Sequence, residues 1–242
     1  MMSSLNSNSD PVRRPAPASL AELRVRAEAL RGYSIGDLAG ALGLEVPEDN
    51  RRSKGFIGQL IERALGADPK AGPRPDFVDL GVELKTIPVN DQGRPTETTF
   101  CCSIKMANAD QELWESSRLR LRLQRVLWVP VESARKRELA QRRIGSPVLW
   151  SPDAVAEAAL RSDWEDLMGA IGSGRGGTLT AREGRVLHVR PKAANASVRT
   201  IAPGAGGPQK TLPLGFYLRT AFTAALLAGG SNVGLAGAAG EE

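Results

Sequence analysis

The chain has 242 residues, of which 41% are hydrophobic, and its basic residues exceed its acidic ones to give a formal net charge of +5. This length is sufficient for one large domain or for two lobes with an ample core. The positive charge is compatible with a partner that carries a phosphate backbone. Mildly basic soluble proteins are common, however, so charge alone leaves that question open.

The counts of histidine and cysteine exclude several kinds of active site. The one histidine, His188, excludes nucleases with paired histidines and His-ligated zinc hydrolases. A Ser-His-Asp site would need His188 as its base, but His188 lies in the strand-like run RVLHVR, where a histidine is more often a surface or half-buried residue. Cys101 and Cys102 are adjacent, so they form neither a disulfide framework nor a zinc cluster. Any hydrolytic chemistry must therefore depend on carboxylates and lysine.

No segment has the composition of a membrane span or a secretion signal. The N-terminus lacks an apolar stretch, and no apolar run approaches the roughly 20 residues of a membrane-spanning helix. The cysteine usage is typical of a reducing compartment. We therefore expect a soluble, cytoplasmic protein.

The first third of the chain contains three predicted helices. Residues 1–18 are polar and Pro-rich, which is typical of a disordered arm. Ser19 opens S-L-A-E, a capping box ahead of a helix that extends to about Leu30, and Ser34 repeats the pattern as S-I-G-D. The run KGFIGQLIERALG has an apolar stripe at helical spacing and ends at Gly66.

Strand patterns dominate the middle of the chain. VELKTIPV alternates so that Glu83 and Lys85 share one face, and TETTFCCSIKM is predicted as the next antiparallel strand. SSRLRLRLQ fits both a strand and a helix; we favour a helix because the β-rich run VLWVPVE follows directly.

In the last hundred residues, segments with helical spacing alternate with segments with strand spacing. GSPVLWSP leads into a helix with Ser151 as its cap and Pro152 in its first turn, and GSGRGG ends that helix. Two strands are predicted around REGR, followed by a Gly/Pro loop at residues 202–213. GFYLRTAFTAALLA is predicted as the last helix, and the Gly-rich tail at 229–242 is predicted to be flexible.

Two carboxylates and a lysine in the run RPDFVDLGVELKTIPVN suggest a metal site. If the segment before the strand folds back as a hairpin, Asp76 returns to the position of Glu83. Two neighbouring carboxylates repel unless a cation lies between them, and oxygen ligands without His or Cys select Mg²⁺ or a similar ion. The alternative is a surface hairpin on which Glu83 and Lys85 pair in solvent. The apolar neighbours Val82 and Leu84 disfavour that alternative, because charge among them is costly.

Long runs of this chain match one known family. They are DFVDLGVELKTIPVN, WESS, RVLWVPVE, LAQRRIGSPVLWSP, WEDLM, RPKAANA and LPLGFYLRTAFTAALLA. Together they resemble the MutH family of mismatch-repair endonucleases over roughly residues 18–228. The resemblance implies an α/β fold of the PD-(D/E)XK restriction-endonuclease type, with a mixed sheet flanked by helices, in a two-armed clamp around DNA.

The resemblance also implies a division of the chain into arms. The N-terminal arm, residues 19–110, would carry the metal and catalytic site, and the C-terminal arm, residues 111–228, would carry the DNA-recognition elements. The two would be joined somewhere near residues 105–135.

Catalytic roles follow from the same resemblance. It implies that Asp76 and Glu83 bind Mg²⁺, with Mn²⁺ tolerated and one or two ions per site, and that the backbone carbonyl of Leu84 is a further ligand. Lys85 would position or activate the attacking water. Glu62 matches an additional acidic residue of the family, although the spacing alone suggests an ordinary solvated glutamate on a helix.

Base-reading roles are implied for the second arm. Arg190, Pro191 and Lys192 of RPKAANA match the groups that reach base edges, and the alternative for them is a generic phosphate clamp. Tyr217 matches the residue that senses adenine methylation, by leaving no room for a methyl group at N6. From its spacing alone, Tyr217 would be a core residue.

Further contacts and departures complete the comparison with the family. Lys54 matches a DNA-contacting lysine and Phe100 a minor-groove wedge; the alternatives are an exposed lysine at a helix start and a strand core residue. Arg122 stands where the family typically has a lysine near the active site, which preserves phosphate binding better than a catalytic role. Leu214 replaces a basic residue, and the Gly-rich tail departs from the region linked with regulation by MutL.

The implied function is a methylation-sensitive, Mg²⁺-dependent endonuclease. It would nick the unmethylated strand of hemimethylated GATC 5′ to the G, in double-stranded DNA, with MutL as activator, MutS upstream and a monomer as the acting form. Two alternatives stay open: a stand-alone type II restriction enzyme of the same family, and a DNA-binding module that has lost catalysis. The chain is short for the former, and the intact Asp76, Glu83 and Lys85 disfavour the latter.

Overall fold

A computed structural model describes residues 14–48, 55–133, 137–193, 197–204 and 206–229. Residues 1–13 of the predicted disordered arm and 230–242 of the predicted flexible tail lie outside the described residues. Lys54 lies outside them as well, so its predicted DNA contact stays a prediction. For residues 14–18 the prediction of disorder is wrong, because Pro17 is buried and Arg26 Nη1 donates to Pro15 O at 2.6 Å.

The fold of the described residues is mixed α/β. Its α-helices are α1 (Leu20–Glu28), α2 (Ile35–Ala41), α3 (Phe56–Leu65), α4 (Arg118–Leu123), α5 (Ala154–Ala170) and α6 (Thr220–Leu227). Its strands are β1 (Glu83–Val89), β2 (Thr99–Ser103), β3 (Val126–Glu132), β4 (Val148–Trp150), β5 (Leu187–Pro191), β6 (Thr200–Ala202), β7 (Gln209–Thr211) and β8 (Leu214–Leu218). Short 3-10 turns occupy Val78–Leu80, Met106–Asn108, Trp114–Ser116, Leu139–Gln141 and Gly176–Thr178, and a π-helical turn follows α5 at Ile171–Arg175.

The chain forms two compact units that alternate along the sequence. The first contains residues up to Gly93 and Val129–Pro147, and the second contains Arg94–Trp128 and the residues from Val148 onward. These units differ from the contiguous arms 19–110 and 111–228, because residues 94–110 join the second unit and 129–147 return to the first.

Both units have continuous apolar cores. In the first unit, α1 and α2 pack against α3, and α3 packs against β1. Residues at most 1% exposed in this unit include Leu23, Ile35, Leu60, Ile61, Leu65, Val82 and Ile87. In the second unit, α5 packs against β5 and α4 against β2. Equally buried residues of this unit include Leu119, Leu123, Leu160, Ile171, Leu187, Leu218 and Leu226.

Local signals determine most helix boundaries. Ser19 Oγ accepts a hydrogen bond from the Glu22 N–H at 3.1 Å, and Ser34 Oγ accepts one from the Asp37 N–H at 3.0 Å, so both predicted caps are confirmed. The favoured helical form of SSRLRLRLQ is confirmed by α4, whose first turn is capped by Ser117. α5, however, begins at Ala154 and not after Ser151. Asp153 is its cap, because the Asp153 carboxylate accepts from the Ala156 N–H at 2.8 Å.

Strand pairing differs from the sequence prediction in one important respect. β2 was predicted as an antiparallel neighbour of β1, which is wrong: the strand orders are β1-β3-β4, β2-β8-β5 and β6-β7. The connection at residues 90–98 is longer than the two to five residues usual for a hairpin, so sequence proximity does not impose pairing. β2 pairs instead with β8, from Thr99 opposite Leu218 to Ser103 opposite Gly215.

Two further expectations for the C-terminal half are wrong. The first part of GFYLRTAFTAALLA is strand β8, and only Thr220–Leu227 is helical. β8 is the central strand of its sheet, so its peptide groups have partners on both sides, which outweighs the helical spacing of its apolar residues. Around REGR, only β5 forms; residues 179–186 are turn and loop. The predicted loop at 202–213 contains the last residue of β6 and all of β7.

None of the helices in the described part of the chain combines the length and apolarity that a bilayer crossing requires.

Gly66 is a position where the fold requires glycine. It ends α3 with a φ of +85°, and its N–H and that of Ala67 both donate to the Glu62 carbonyl at 2.9 Å. A Cβ on Gly66 would lie 2.3 Å from the carbonyl oxygen of Pro15. The end of α3 and the segment before α1 are therefore held too closely for any side chain.

Substitution Gly66→Ala is expected to destabilise the protein by roughly 2 kcal/mol or more, because alanine disfavours this backbone conformation and its methyl group collides with Pro15. Urea denaturation measures the change. Gly40→Ala is the matched control, since a Cβ on this exposed glycine of α2 meets nothing within 4 Å. The free energy of unfolding of this control should equal that of the wild type or exceed it by up to about 1 kcal/mol. Equal losses in the two variants would contradict the assignment.

Candidate active site and nucleic-acid interface

The predicted hairpin forms around the first carboxylate. Phe77 and Val82 make an antiparallel bridge, with the Phe77 N–H donating to Val82 O at 2.9 Å and the Val82 N–H donating to Phe77 O at 3.2 Å. The turn between them is the 3-10 segment Val78–Leu80. This bridge brings Asp76 and Glu83, the residues just outside it on either side, to the same end of the hairpin. The predicted return of Asp76 to the start of the strand is confirmed.

Asp76 is attached to both of its neighbouring elements. Its backbone carbonyl accepts from the N–H of Asp68, in the loop after α3, at 2.8 Å. Its carboxylate Oδ2 accepts from the N–H of Leu84, in β1, at 2.7 Å. A carboxylate oxygen held by a peptide N–H has a defined position, and the second oxygen, Oδ1, keeps its own capacity to bind a ligand.

Glu83 and Lys85 form an ion pair within the apolar part of β1. Lys85 Nζ lies 2.6 Å from Glu83 Oε1, and the side chains are 15% and 1% exposed, respectively. Val82, Leu84 and Ile87 around them are buried. Removing two charges from water costs as much as or more than their attraction returns, so a pair at this depth is weak evidence for stability and points to a chemical role. The solvated surface pair considered as the alternative is therefore wrong.

The oxygen donors of this hairpin suit a hard divalent cation. Within the described residues, no three side chains of His, Cys, Asp or Glu form a metal-binding group. Mg²⁺ is usually bound by one or two carboxylates, with water and substrate phosphate as its other ligands. Asp76 and Glu83, with the backbone carbonyl of Leu84 next after Glu83, supply oxygen donors of that kind, while a structural zinc or calcium cage would need more protein ligands.

Glu62 lies on α3, the helix that packs against β1. Its side chain is half-buried, and Oε1 lies 3.9 Å from the position that a Cβ on Gly58 would occupy, so the carboxylate extends back along the helix. It is not the fully solvated glutamate that spacing alone suggested. Its predicted role at the metal site stays a prediction.

Four of the predicted DNA-binding residues meet in the second unit, across the sheet β2-β8-β5. Tyr217, in the central strand, is opposite Phe100 in β2 and His188 in β5. The Tyr217 ring centroid lies 5.3 Å from that of Phe100 and 5.9 Å from that of His188. Arg190 Cζ lies 5.9 Å from the Tyr217 centroid, and Lys192 Nζ lies 4.5 Å from the Phe100 centroid. We refer to Phe100, Arg190, Lys192 and Tyr217 as the aromatic–cation cluster.

The cations of this cluster are exposed, whereas its rings are half-buried. Arg190 also donates to Thr98 Oγ1 at 3.3 Å, and the Lys192 N–H donates to Pro213 O at 2.8 Å. Pro191, exposed between them at the end of β5, restricts the backbone of the segment that carries both cations. The rings are therefore neither core residues nor free surface groups.

Arg122 is half-buried on α4, the helix that packs against β2 in the second unit. Its predicted contact with phosphate stays a prediction.

Comparisons with known proteins identify the family of this chain. A family model described as "DNA mismatch repair enzyme MutH" matches residues 65–163, which include the hairpin with Asp76, Glu83 and Lys85. The DNA mismatch repair protein MutH of Vibrio parahaemolyticus is 50% identical over 215 residues, which cover 88% of this chain and 95% of that protein. MutH of Klebsiella pneumoniae is 52% identical and MutH of Salmonella paratyphi B 53% identical, each over 88% of this chain and 92% of its own length.

The chain belongs to the MutH family. MutH proteins are DNA mismatch repair endonucleases, so the chain is an enzyme that binds DNA and cuts its phosphodiester backbone. The resemblance seen in the sequence is thereby confirmed.

The surroundings of the aromatic–cation cluster shift the pKa values of Tyr217 and of its neighbour His188. Burial raises the pKa of Tyr217, although the positive charge of Arg190 opposes this, so the phenol stays protonated at neutral pH. His188 is 2% exposed, and neither ring nitrogen has a hydrogen-bond partner among the described residues. Burial, with the charges of Arg219 and Arg190, lowers the pKa of His188 to about 4. His188 is thus more buried than the sequence suggested, and its uncharged ring packs beside that of Tyr217.

Two polar residues beside this sheet were missed by sequence reasoning. Asp163, 3% exposed, lies on the buried face of α5, and Arg219 immediately precedes α6. Asp163 carries a signal that could have identified it, because it precedes Trp164 within the apolar stripe that includes Leu160 and Leu167. An acid at such a position needs specific partners. Arg219 carries no comparable signal.

His188 is expected to make the protein less stable as the pH falls from 7 to 5. Its pKa is about 4 when folded and near 6.5 when unfolded, so the unfolded chain binds the extra proton first. The stabilisation is complete above pH 6.5 and is lost progressively toward pH 4. Denaturant titrations at pH 7 and pH 5 measure the free energy of unfolding of wild type and of His188→Phe. Between these pH values the wild type should lose about 1–2 kcal/mol more than the variant.

Because the chain has one histidine, this variant isolates the imidazole contribution. An identical pH-dependent loss in the two proteins would contradict the neutral, buried state of His188.

Proposed function

We propose that this MutH-family enzyme nicks the unmethylated strand of hemimethylated GATC sites, on the 5′ side of the G, with Mg²⁺ as its cofactor. The main support is the hairpin that brings Asp76 and Glu83 to one end, where the Leu84 N–H donates to the Asp76 carboxylate at 2.7 Å and Lys85 Nζ lies 2.6 Å from the Glu83 carboxylate. The mixed α/β fold and this motif support the PD-(D/E)XK assignment. The two-armed clamp around DNA is part of the same proposal.

Asp76, Glu83 and the carbonyl of Leu84 would hold the ion. When bound, Mg²⁺ would stabilise negative charge on the phosphate and favour ionisation of a bound water. The peptide N–H of Leu84 keeps the Asp76 carboxylate oriented toward the start of β1. Mn²⁺ should be tolerated, since it accepts the same oxygen ligands.

Lys85 would serve both the site and the attacking water. Its ammonium compensates the buried Glu83 carboxylate, and its remaining N–H groups can donate to the water or to a phosphate oxygen. Glu62, on the helix that packs against β1, is proposed to orient a water molecule or a second ion.

The aromatic–cation cluster would read the DNA sequence. Arg190 and Lys192 carry the donors that guanine O6 and N7 require, and both are exposed. The Tyr217 ring is held by Phe100 on one side and His188 on the other, so it cannot easily withdraw from a methyl group on adenine N6. Phe100 is proposed to contact the minor groove, Pro191 to stiffen the reading segment, and Lys54 and Arg122 to bind phosphates.

The proposed setting is methyl-directed mismatch repair, with activation by MutL after MutS has bound a mismatch. The similar lengths of this chain and of its relatives support repair over a larger restriction enzyme, because the matched region covers 92–95% of three relatives named as mismatch repair proteins. An inactive DNA-binding module is disfavoured by the complete set Asp76, Glu83 and Lys85.

The proposal is tested by incubating the pure protein with Mg²⁺ and a hemimethylated GATC duplex, and mapping the cut on each strand separately. We expect one nick, in the unmethylated strand, and stimulation by added MutL. Substitution Glu83→Gln should slow nicking by roughly 100-fold or more while binding in Ca²⁺ persists, since it removes charge and little volume.

Asp79→Asn is the matched control, because Asp79 is an exposed acid in the turn of the same hairpin. It should nick at the wild-type rate. Double-strand cleavage without a partner would favour restriction, and undiminished nicking by Glu83→Gln would mean that the assigned site is wrong.

The methylation sensor is tested by Tyr217→Ala. Removing the ring should reduce the preference for unmethylated over methylated GATC by roughly 10-fold, a size typical of steric discrimination at one methyl group. The ratio of kcat/KM for the two substrates measures it. Tyr33→Ala is the control, since Tyr33 is the other tyrosine of the chain and is 47% exposed. A preference that survives Tyr217→Ala unchanged would reject the sensor role.

A further inference from the structure

The turn at residues 181–187, which leads into β5, is held by a buried carboxylate. Asp163 Oδ2 accepts hydrogen bonds from the backbone N–H groups of Arg185 at 2.9 Å, Val186 at 2.7 Å and Leu187 at 2.8 Å. Oδ1 accepts a further bond from the Arg185 N–H at 3.0 Å. One side chain of α5 thus satisfies three consecutive peptide donors.

The carbonyl groups of the same turn are held by Arg219. Its Nη2 donates to the carbonyls of residues 181, 182 and 183 at 2.9–3.0 Å, and its Nε donates to that of Gly184 at 2.9 Å. The backbone N–H of Arg219 donates to Val186 O at 2.9 Å. An anion on the donor side and a cation on the acceptor side therefore pair three N–H groups and five carbonyl groups of this turn.

The turn has little freedom to take another conformation. Gly184 has a φ of +80°, and a Cβ there would lie 1.9 Å from Leu187 O and 3.3 Å from the Asp163 carboxyl carbon. The chain is therefore compressed around Asp163 immediately before β5 begins. Its direction into the strand is set by polar contacts and not by the strand alone.

The direction of this turn determines which side chains of β5 face the aromatic rings. The register places Leu187 opposite Leu218, His188 opposite Tyr217 and Arg190 opposite Gly215. Because side chains alternate along a strand, a slip of one residue would move Arg190 and Lys192 to the opposite face of the sheet. Leu187 is the first residue of β5, and its N–H donates to Asp163. The turn held by Asp163 and the pairing of β5 with β8 therefore share this residue.

We propose that Asp163 and Arg219 are positioning residues for DNA sequence discrimination: together they hold the turn that sets the register of β5 and so places Arg190 and Lys192 beside Phe100 and Tyr217. This inference rests on the proposed function, in which that cluster reads GATC. Neither residue needs to contact DNA.

The test compares affinities for a GATC duplex and for a duplex of equal length without GATC, in Ca²⁺ at one salt concentration. Asp163→Asn replaces an acceptor oxygen by a donor, and Arg219→Lys cannot span four carbonyls. Each should lower the ratio of specific to non-specific affinity about 10-fold or more, with non-specific affinity within about twofold of wild type. Asp166→Asn, an exposed acid of α5, and Arg175→Lys, an exposed arginine, are the matched controls and should keep the ratio.

This ratio separates positioning from simple loss of folded protein, which would lower both affinities in the same proportion. An unchanged ratio in the two variants would overturn the inference. A wild-type protein that does not prefer GATC would instead overturn the proposed function.

If the variants fail to fold, amide hydrogen exchange of the wild type decides the matter. The N–H groups of Arg185, Val186 and Leu187 should exchange as slowly as those of β5 and be slowed together with them by GATC DNA. Rapid exchange at these three amides, at the rate of exposed loop residues, would overturn the inference.

Discussion

The hydrogen bond from the Leu84 N–H to the Asp76 carboxylate connects the parts of the candidate active site. It attaches Asp76 to β1 at the residue after Glu83, so both acids lie at the same end of the hairpin although the chain turns between them. The Asp68 N–H holds the Asp76 carbonyl from the end of α3, and the core beneath α3 and β1 keeps this geometry rigid. Two carboxylates held together repel, and the nearby Lys85 and the proposed Mg²⁺ are the charges that compensate them.

The proposed DNA-recognition cluster in the second unit follows the same physical rule. Its cations are exposed, while buried polar contacts lie in the turn before β5. Arg190 and Lys192 lie over or beside the rings of Tyr217 and Phe100. Asp163, on α5, and Arg219, before α6, hydrogen-bond to consecutive peptide groups of the turn before β5. The proposed reading surface lies mainly on strands, and a strand places side chains more precisely than a loop because the ladder determines their spacing.

Sequence reasoning succeeded where the signals are local. The caps Ser19 and Ser34 and the glycine that ends α3 act over a few residues, and the structure confirms them. It failed where distant strands compete: β2 pairs with β8 instead of β1, and GFYL is a strand although its apolar residues suit a helix. For the same reason, spacing predicted the hairpin of Asp76, Glu83 and Lys85, but it could not relate Phe100 to Tyr217 or identify Arg219.

By itself, the sequence determined the chemistry available to this protein: one histidine, no usable cysteine pair, and a strand with two acids and a lysine among apolar residues. The sequence also indicated the MutH family, because long matching runs in the same order can be recognised without a structure. The tertiary structure alone decided the depth of Glu83 and His188, the register that joins Tyr217 to Phe100 and His188, and the polar contacts of the turn before β5. These features depend on contacts between residues far apart in the chain, whose free energies no local pattern encodes.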